Sequence, residues 1–174
     1  MLYYFKENTS GGETLFTTSL YTEKTSTEFV FRFDCSKSKC FSAYEGFNEP
    51  LYMGDVTEIF LCTDKSKKTY YEIEAAPNGA CFFALINNPA GDGTDLSHEF
   101  LPRKIIVSVG KLKGGYLTEI RVPFSSVNYF DGEFVEFNAF RIETEGGIPE
   151  KNLLALNPTL CGFFHKTSAF IKLI

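Results

Sequence analysis

The chain has 174 residues, with 17 Lys and Arg against 22 Asp and Glu and a net charge of -5. That length supplies one sizeable core, so residues 1–174 are read as a single domain. The acidic balance excludes a nucleic-acid partner, which needs a basic face. A hydrophobic content of 44% excludes a disordered chain, and apolar runs such as Cys81 to Ile86 are far too short to cross a bilayer.

The first residues, Met1 to Glu7, lack the basic start, long apolar middle and small-residue cleavage site of a signal peptide. Five cysteines, an odd number, fit free thiols better than a disulfide framework. Together these place the protein in the cytoplasm. Cys35 and Cys40 match zinc spacing only loosely, and no second Cys/His pair follows. They are read as buried thiols.

Nineteen Phe and nine Tyr, with no Trp, favour pleated surfaces. A first strand is expected at Thr14 to Leu20. Glu28 to Asp34 puts three Phe on alternate positions, a strand with one buried face. Val56 to Thr63 follows, with Ile59 and Leu61 on one face and Glu58 and Phe60 on the other. In Tyr70 to Ala75, Tyr71, Ile73 and Ala75 alternate with Tyr70, Glu72 and Glu74. Pro77-Asn78-Gly79 turns the chain back into Ala80 to Ile86. Further strands are expected at Lys104 to Val109, Tyr116 to Val122, Val135 to Ile142, Leu153 to Leu156 and Ser168 to Leu173. Loops are expected at Cys35 to Met53 and Asn87 to Pro102. Helical periodicity is absent apart from one or two turns after Pro123. The fold class is all-β, an antiparallel β-sandwich of jelly-roll or immunoglobulin-like type, with a closed barrel as the alternative.

Sequence templates for catalysis are missing: no phosphate-cradling glycine loop, no Gly-x-Ser-x-Gly and no His-Glu-x-x-His. His98 and His165 are isolated in sequence. Glu58 and Glu72 lie on neighbouring strands, where an acid/base pair acting on a sugar is the enzymatic alternative. Asp92-Gly93-Thr94-Asp95 offers hard oxygens suited to calcium, without the spacing of a known calcium loop. No other cofactor is expected.

Five blocks in order resemble the family 9 carbohydrate-binding modules, which have a DOMON-like β-sandwich. They are Pro50-Leu51-Tyr52-Met53-Gly54-Asp55-Val56-Thr57-Glu58-Ile59-Phe60-Leu61, then Tyr70 to Glu74 with its Pro77-Asn78-Gly79 turn. Glu119-Ile120-Arg121-Val122-Pro123-Phe124 and Phe137-Asn138-Ala139-Phe140-Arg141-Ile142 come next. Leu154-Ala155-Leu156-Asn157-Pro158-Thr159, with Phe164-His165-Lys166 and Phe170, closes the series. The resemblance implies a non-catalytic domain that binds a mono- or oligosaccharide between aromatic rings, with charged and amide side chains on its hydroxyls. It puts Tyr52 at the first clamping position and Glu58 at the hydroxyl-binding glutamate. Glu72, Arg141 and Asn157 take the remaining ligand contacts. Leu156 stands where the second clamping Trp would be, leaving Tyr44, Tyr129 and Phe163 as aromatic substitutes.

Overall fold

The computed structural model describes residues 1–36, 39–144 and 151–173. It contains thirteen strands: β1 (Leu2–Tyr4), β2 (Lys6–Glu7), β3 (Thr18–Lys24), β4 (Glu28–Ser36), β5 (Val56–Cys62), β6 (Thr69–Ala75), β7 (Cys81–Asn87), β8 (Ser97–Phe100), β9 (Ile106–Leu112), β10 (Gly115–Pro123), β11 (Glu136–Thr144), β12 (Lys151–Ala155) and β13 (Ile171–Lys172). All pairings are antiparallel. One sheet runs β1-β3-β4-β10-β9; the other runs β2-β12-β11-β5-β6-β7-β8, with β13 added against β11. The all-β sandwich read from the alternation is what forms.

The two-residue period explains the layering. Phe29, Phe31 and Phe33 of β4 and Ile120 and Val122 of β10 meet Ile59 and Leu61 of β5, Ile73 of β6 and Phe137 of β11 in one buried cluster between the sheets. The opposite face of the larger sheet buries a second cluster. There Phe60, Tyr70, Ile86 and Phe140 pack under Leu51, Phe164 and Phe170 from connecting segments. The outer face of the larger sheet is therefore roofed by loops, and this second layer holds the cleft described below.

Several boundaries differ from the sequence expectation. β3 starts at Thr18 rather than Thr14 and runs on through Glu23 and Lys24. Its outward face tolerates charge: Glu23 pairs with Arg32, and Lys24 with Asp131. β1 and β2 were not expected. β8 arises within the expected Asn87 to Pro102 loop; its four residues are all exposed, so no hydrophobic alternation marks it. Of the expected Ser168 to Leu173 strand only β13 forms, after a 3-10 turn at Thr167–Ala169. The turn after Pro123 is a 3-10 turn, Phe124–Ser126. Another, Leu51–Met53, ends the expected Cys35 to Met53 loop, of which residues 37–38 lie outside the described residues.

Cys35, Cys62 and Cys81 are buried and Cys161 is half-buried, but Cys40, expected to be buried, is exposed because the segment after β4 runs over the surface. Burial pushes the Cys35 thiol up to about 12, the behaviour of an inert core residue.

Candidate functional site

The register of the larger sheet assembles one polar patch. Glu58 of β5 lies directly opposite Glu74 of β6, and Glu72, two residues from Glu74, shares its face. On the flanks, Phe140 is opposite Glu58 and Phe82 is opposite Glu74. Ala84 separates Glu72 from Phe100, and Ile86 is opposite His98. All of these but Phe140 and Ala84 line a cleft of about 620 Å³ whose rim carries Tyr52, Lys151, Phe163 and His165.

Local contacts hold the rim in place. Asp55 accepts hydrogen bonds from Phe41 N (2.7 Å), Thr144 N (2.7 Å) and Thr144 Oγ1 (2.7 Å), tying the Leu51–Met53 turn to the end of β11. At Gly54 a Cβ would come within 2.8 Å of Phe41 O and Ala43 N, so only glycine lets these two backbone segments close up. Tyr52 is left 50% exposed. Lys151 Nζ donates to Tyr52 O (2.6 Å) and sits 5.1 Å from the Tyr52 ring centroid, which orients the ring. Across the cleft Phe163 is 44% exposed. Gly93, at φ +87°, accommodates it, because a Cβ there would lie 2.9 Å from its ring.

His165 stacks on Phe60 with centroids 4.9 Å apart. Asn88 Nδ2 donates to His165 O (3.0 Å) and to Tyr70 Oη (3.5 Å), leaving the Tyr70 hydroxyl to donate to His165 Nδ1 (2.7 Å). That network assigns the ring proton to Nε2. Burial holds the imidazole down to about 4, so it is neutral at pH 7.

The three glutamates are unusual. Glu58 and Glu74 are each 2% exposed and Glu72 is 8%. Each offers a carboxylate oxygen within 4.8 Å of the others. Burial, and then the neighbouring carboxylates, push Glu58 and Glu74 well above the usual carboxylate range, with Lys151 pulling the other way. Burial lifts Glu72 to about 7, opposed by a hydrogen bond with Glu74. Glu58 Oε1 and Glu74 Oε2 have no hydrogen-bond partner among the described residues.

Tyr52, Glu58 and Glu72, singled out from the sequence, come together here. Arg141 and Asn157 do not. In the β11–β5 register Phe140 is the residue opposite Glu58, and Arg141 is opposite Thr57. Arg141 therefore points between the sheets, fully buried, donating to Thr18 Oγ1 (2.8 Å) and Ser36 O (3.0 Å) and pairing with Glu143. The amide of Asn157 donates to Ala169 O (2.9 Å), and its backbone bonds both ends of the Asn138 amide, fastening the closing segment to β11. Leu156 packs against the inter-sheet cluster, as does the buried Tyr129. Of the three aromatic substitutes, Phe163 alone lines the cleft.

Glu74, His98 and Lys151 were missing from the sequence-derived site. Glu74 was legible, since it shares the face of Glu72 at a spacing of two. The others depend on long-range placement. The Asp92-Gly93-Thr94-Asp95 segment is a turn closed on itself: Asp92 Oδ1 accepts from Thr94 N (3.0 Å) and Thr94 Oγ1 (2.5 Å), and Asn88 Oδ1 accepts from Gly91 N and Gly93 N.

No protein-family model matches the chain. A curated relative from Arthroderma benhamiae, described as an extracellular protein, is 26% identical over 147 residues, covering 77% of this chain. The chain spans 66% of that relative's length. This relative overturns the cytoplasmic expectation. The thiol count was a poor guide, because buried sulfurs are shielded from oxidant and from one another whatever the compartment. Among solved structures, a candidate carbohydrate-binding protein from Bacteroides uniformis superposes with a TM-score of 0.78 at 12% identity, covering 98% of this chain and 84% of that one. A family 9 carbohydrate-binding module from Caldicellulosiruptor kristjanssonii, in complex with glucose, gives a TM-score of 0.66 at 12% identity, covering 96% and 80%. Its cellotriose complex gives 0.65 at 12% identity, covering 93% and 74%. The chain thus shares the β-sandwich fold of these carbohydrate-binding modules.

Proposed function

We propose that the cleft binds a mono- or oligosaccharide and does not turn it over. The observation that carries this reading is the meeting of exposed rings, Tyr52 and Phe163, with a carboxylate floor in one open hollow. A sugar presents C–H faces to rings and a dense set of hydroxyls to acceptors and donors. Glu58, Glu72 and Glu74 supply acceptors, or a donor where a proton is retained; Lys151 and His98 supply further polar contacts at the rim. The solved glucose and cellotriose complexes of the same fold support the choice of ligand class.

The test is calorimetric titration with glucose and cello-oligosaccharides, preceded by a glycan array. Binding is expected to weaken at least tenfold in Glu58→Gln and measurably in Tyr52→Ala, with no product formed. An array and titration without any response would overturn the proposal. A carboxyl held at about 7, as Glu72 is, suits a general acid. The enzymatic reading, with Glu58 and Glu72 as acid and base, therefore predicts sugar consumption abolished by Glu58→Gln. It is the weaker reading, because these carboxyls share one floor with Glu74 instead of flanking a scissile bond.

A further inference from the structure

We propose that Glu58, Glu72 and Glu74 form a binding site for a hard divalent cation, calcium first, at the floor of the cleft. The proposal does not depend on saccharide binding.

Strand register alone brings the three together: Glu58 and Glu74 are direct cross-strand partners, and Glu72 is the next residue on that face. Like charges placed directly opposite one another destabilise a sheet. Here that arrangement is built and then buried, with Glu58 and Glu74 98% covered. Glu58 Oε1 and Glu74 Oε2 face no donor, although buried polar atoms are nearly always bonded. These unpartnered oxygens, rather than the count of acidic residues, mark a missing ligand.

Charge and distance both select the ligand. Lys151 is the one Lys or Arg among the described residues lining the cleft, and it donates to a backbone carbonyl, Tyr52 O. Three carboxylates carry -3 and Lys151 +1, so a divalent ion brings the group to neutrality; a monovalent ion leaves it short. Two oxygens sharing one calcium at about 2.4 Å stand at most about 4.8 Å apart. The glutamate oxygens lie within 4.8 Å of one another, so one ion reaches all three after side-chain adjustment alone. The donors are oxygens only, which suits calcium, magnesium or manganese and not zinc. Calcium takes about six to eight oxygens; three carboxylates furnish part of that shell, and the rest opens to the cleft. The Asp92 loop lacks this character, because its side chain is already engaged by its own turn.

The experiment titrates the EDTA-treated full chain with calcium chloride and with manganese chloride in a calorimeter, and follows the melting temperature with each salt. One ion per chain is expected, with a rise in melting temperature. Affinity should fall at least tenfold in Glu74→Gln and in Glu58→Gln, and stay unchanged in Asp92→Asn. Circular dichroism of the variants separates lost binding from lost folding, and either single variant suffices if the other fails to fold. Three results would overturn the proposal: no heat and no melting shift at millimolar calcium or manganese, undiminished binding in the folded glutamine variants, or binding of zinc alone, which would transfer the site to His98 or His165. Saccharide titrations on the same EDTA-treated sample fail or succeed separately, so the two readings are distinguishable.

Discussion

The two faces of the larger sheet each bury charge, and they treat it in opposite ways. On the inner face Arg141 is enclosed by Thr18, Ser36, Glu143 and the ring of Tyr116, 5.4 Å from the guanidinium carbon, in a network that staples β11 to segments of the other sheet. On the outer face, only one strand away, Glu58, Glu72 and Glu74 are buried together with no cation of the described residues in hydrogen-bonding contact. The inner cluster matches its cation with a buried carboxylate and with oxygens of the other sheet, so it serves cohesion. Its outer counterpart is incomplete, lies under an open cleft and raises the free energy of the empty fold. Buried charge left unmatched by the protein is the mark of a site matched from outside.

Three measurements would break or sharpen that contrast. Arg141→Ala should cause the largest effect, a loss of about 3–5 kcal/mol in denaturant unfolding, because it leaves Glu143 without its buried cationic partner. A loss below about 1 kcal/mol would mean that the inner network is not cohesive and would break the comparison.

The second concerns pH in the presence of EDTA. The Glu72 carboxyl is raised from 4.5 to about 7 in the folded chain. Its proton-linked stabilisation is therefore full below pH 4.5 and lost as pH rises through about 7. Glu72→Gln should gain on the parent protein across that window, by roughly 2–3 kcal/mol at pH 8. Taking the difference between the two proteins removes His165, whose depressed value works the other way: its contribution is full above 6.5 and lost as pH falls through about 4. A difference that stays flat with pH would show that the outer cluster is not strained.

The smallest effect is at the rim. Phe163→Ala should weaken saccharide binding by about 1 kcal/mol, five- to tenfold, while leaving the unfolding midpoint in place because the ring is already 44% exposed. Equal affinity in parent and variant would remove Phe163 from the site and leave Tyr52 as its sole ring platform.

Much of the floor was legible from the chain. Alternation through Val56 to Thr63 and Tyr70 to Ala75 correctly separated Glu58 and Phe60 from Ile59 and Leu61, and Tyr70, Glu72 and Glu74 from Ile73. Arg141 was placed by motif resemblance instead, which carries no information on which face of β11 it takes. Asn157 was misplaced for a related reason: an amide beside a proline turn looks available until its partner, Ala169 O, folds back against it. β8 was invisible for want of apolar alternation, yet it brings His98 and Phe100 to the cleft.

What the chain dictates by itself is the all-β class and the sorting of residues within each strand, since side-chain direction follows from a local period of two. Register, by contrast, is set between segments as far apart as β5 and β11. The β5–β6 and β5–β11 registers, with the loops drawn across the outer face, decided that Glu58 would meet Glu74 and not Arg141. It also decided that Tyr52 and Phe163 would share one rim. No local pattern encodes such choices, because they depend on which distant strand burial and hydrogen bonding select as neighbour.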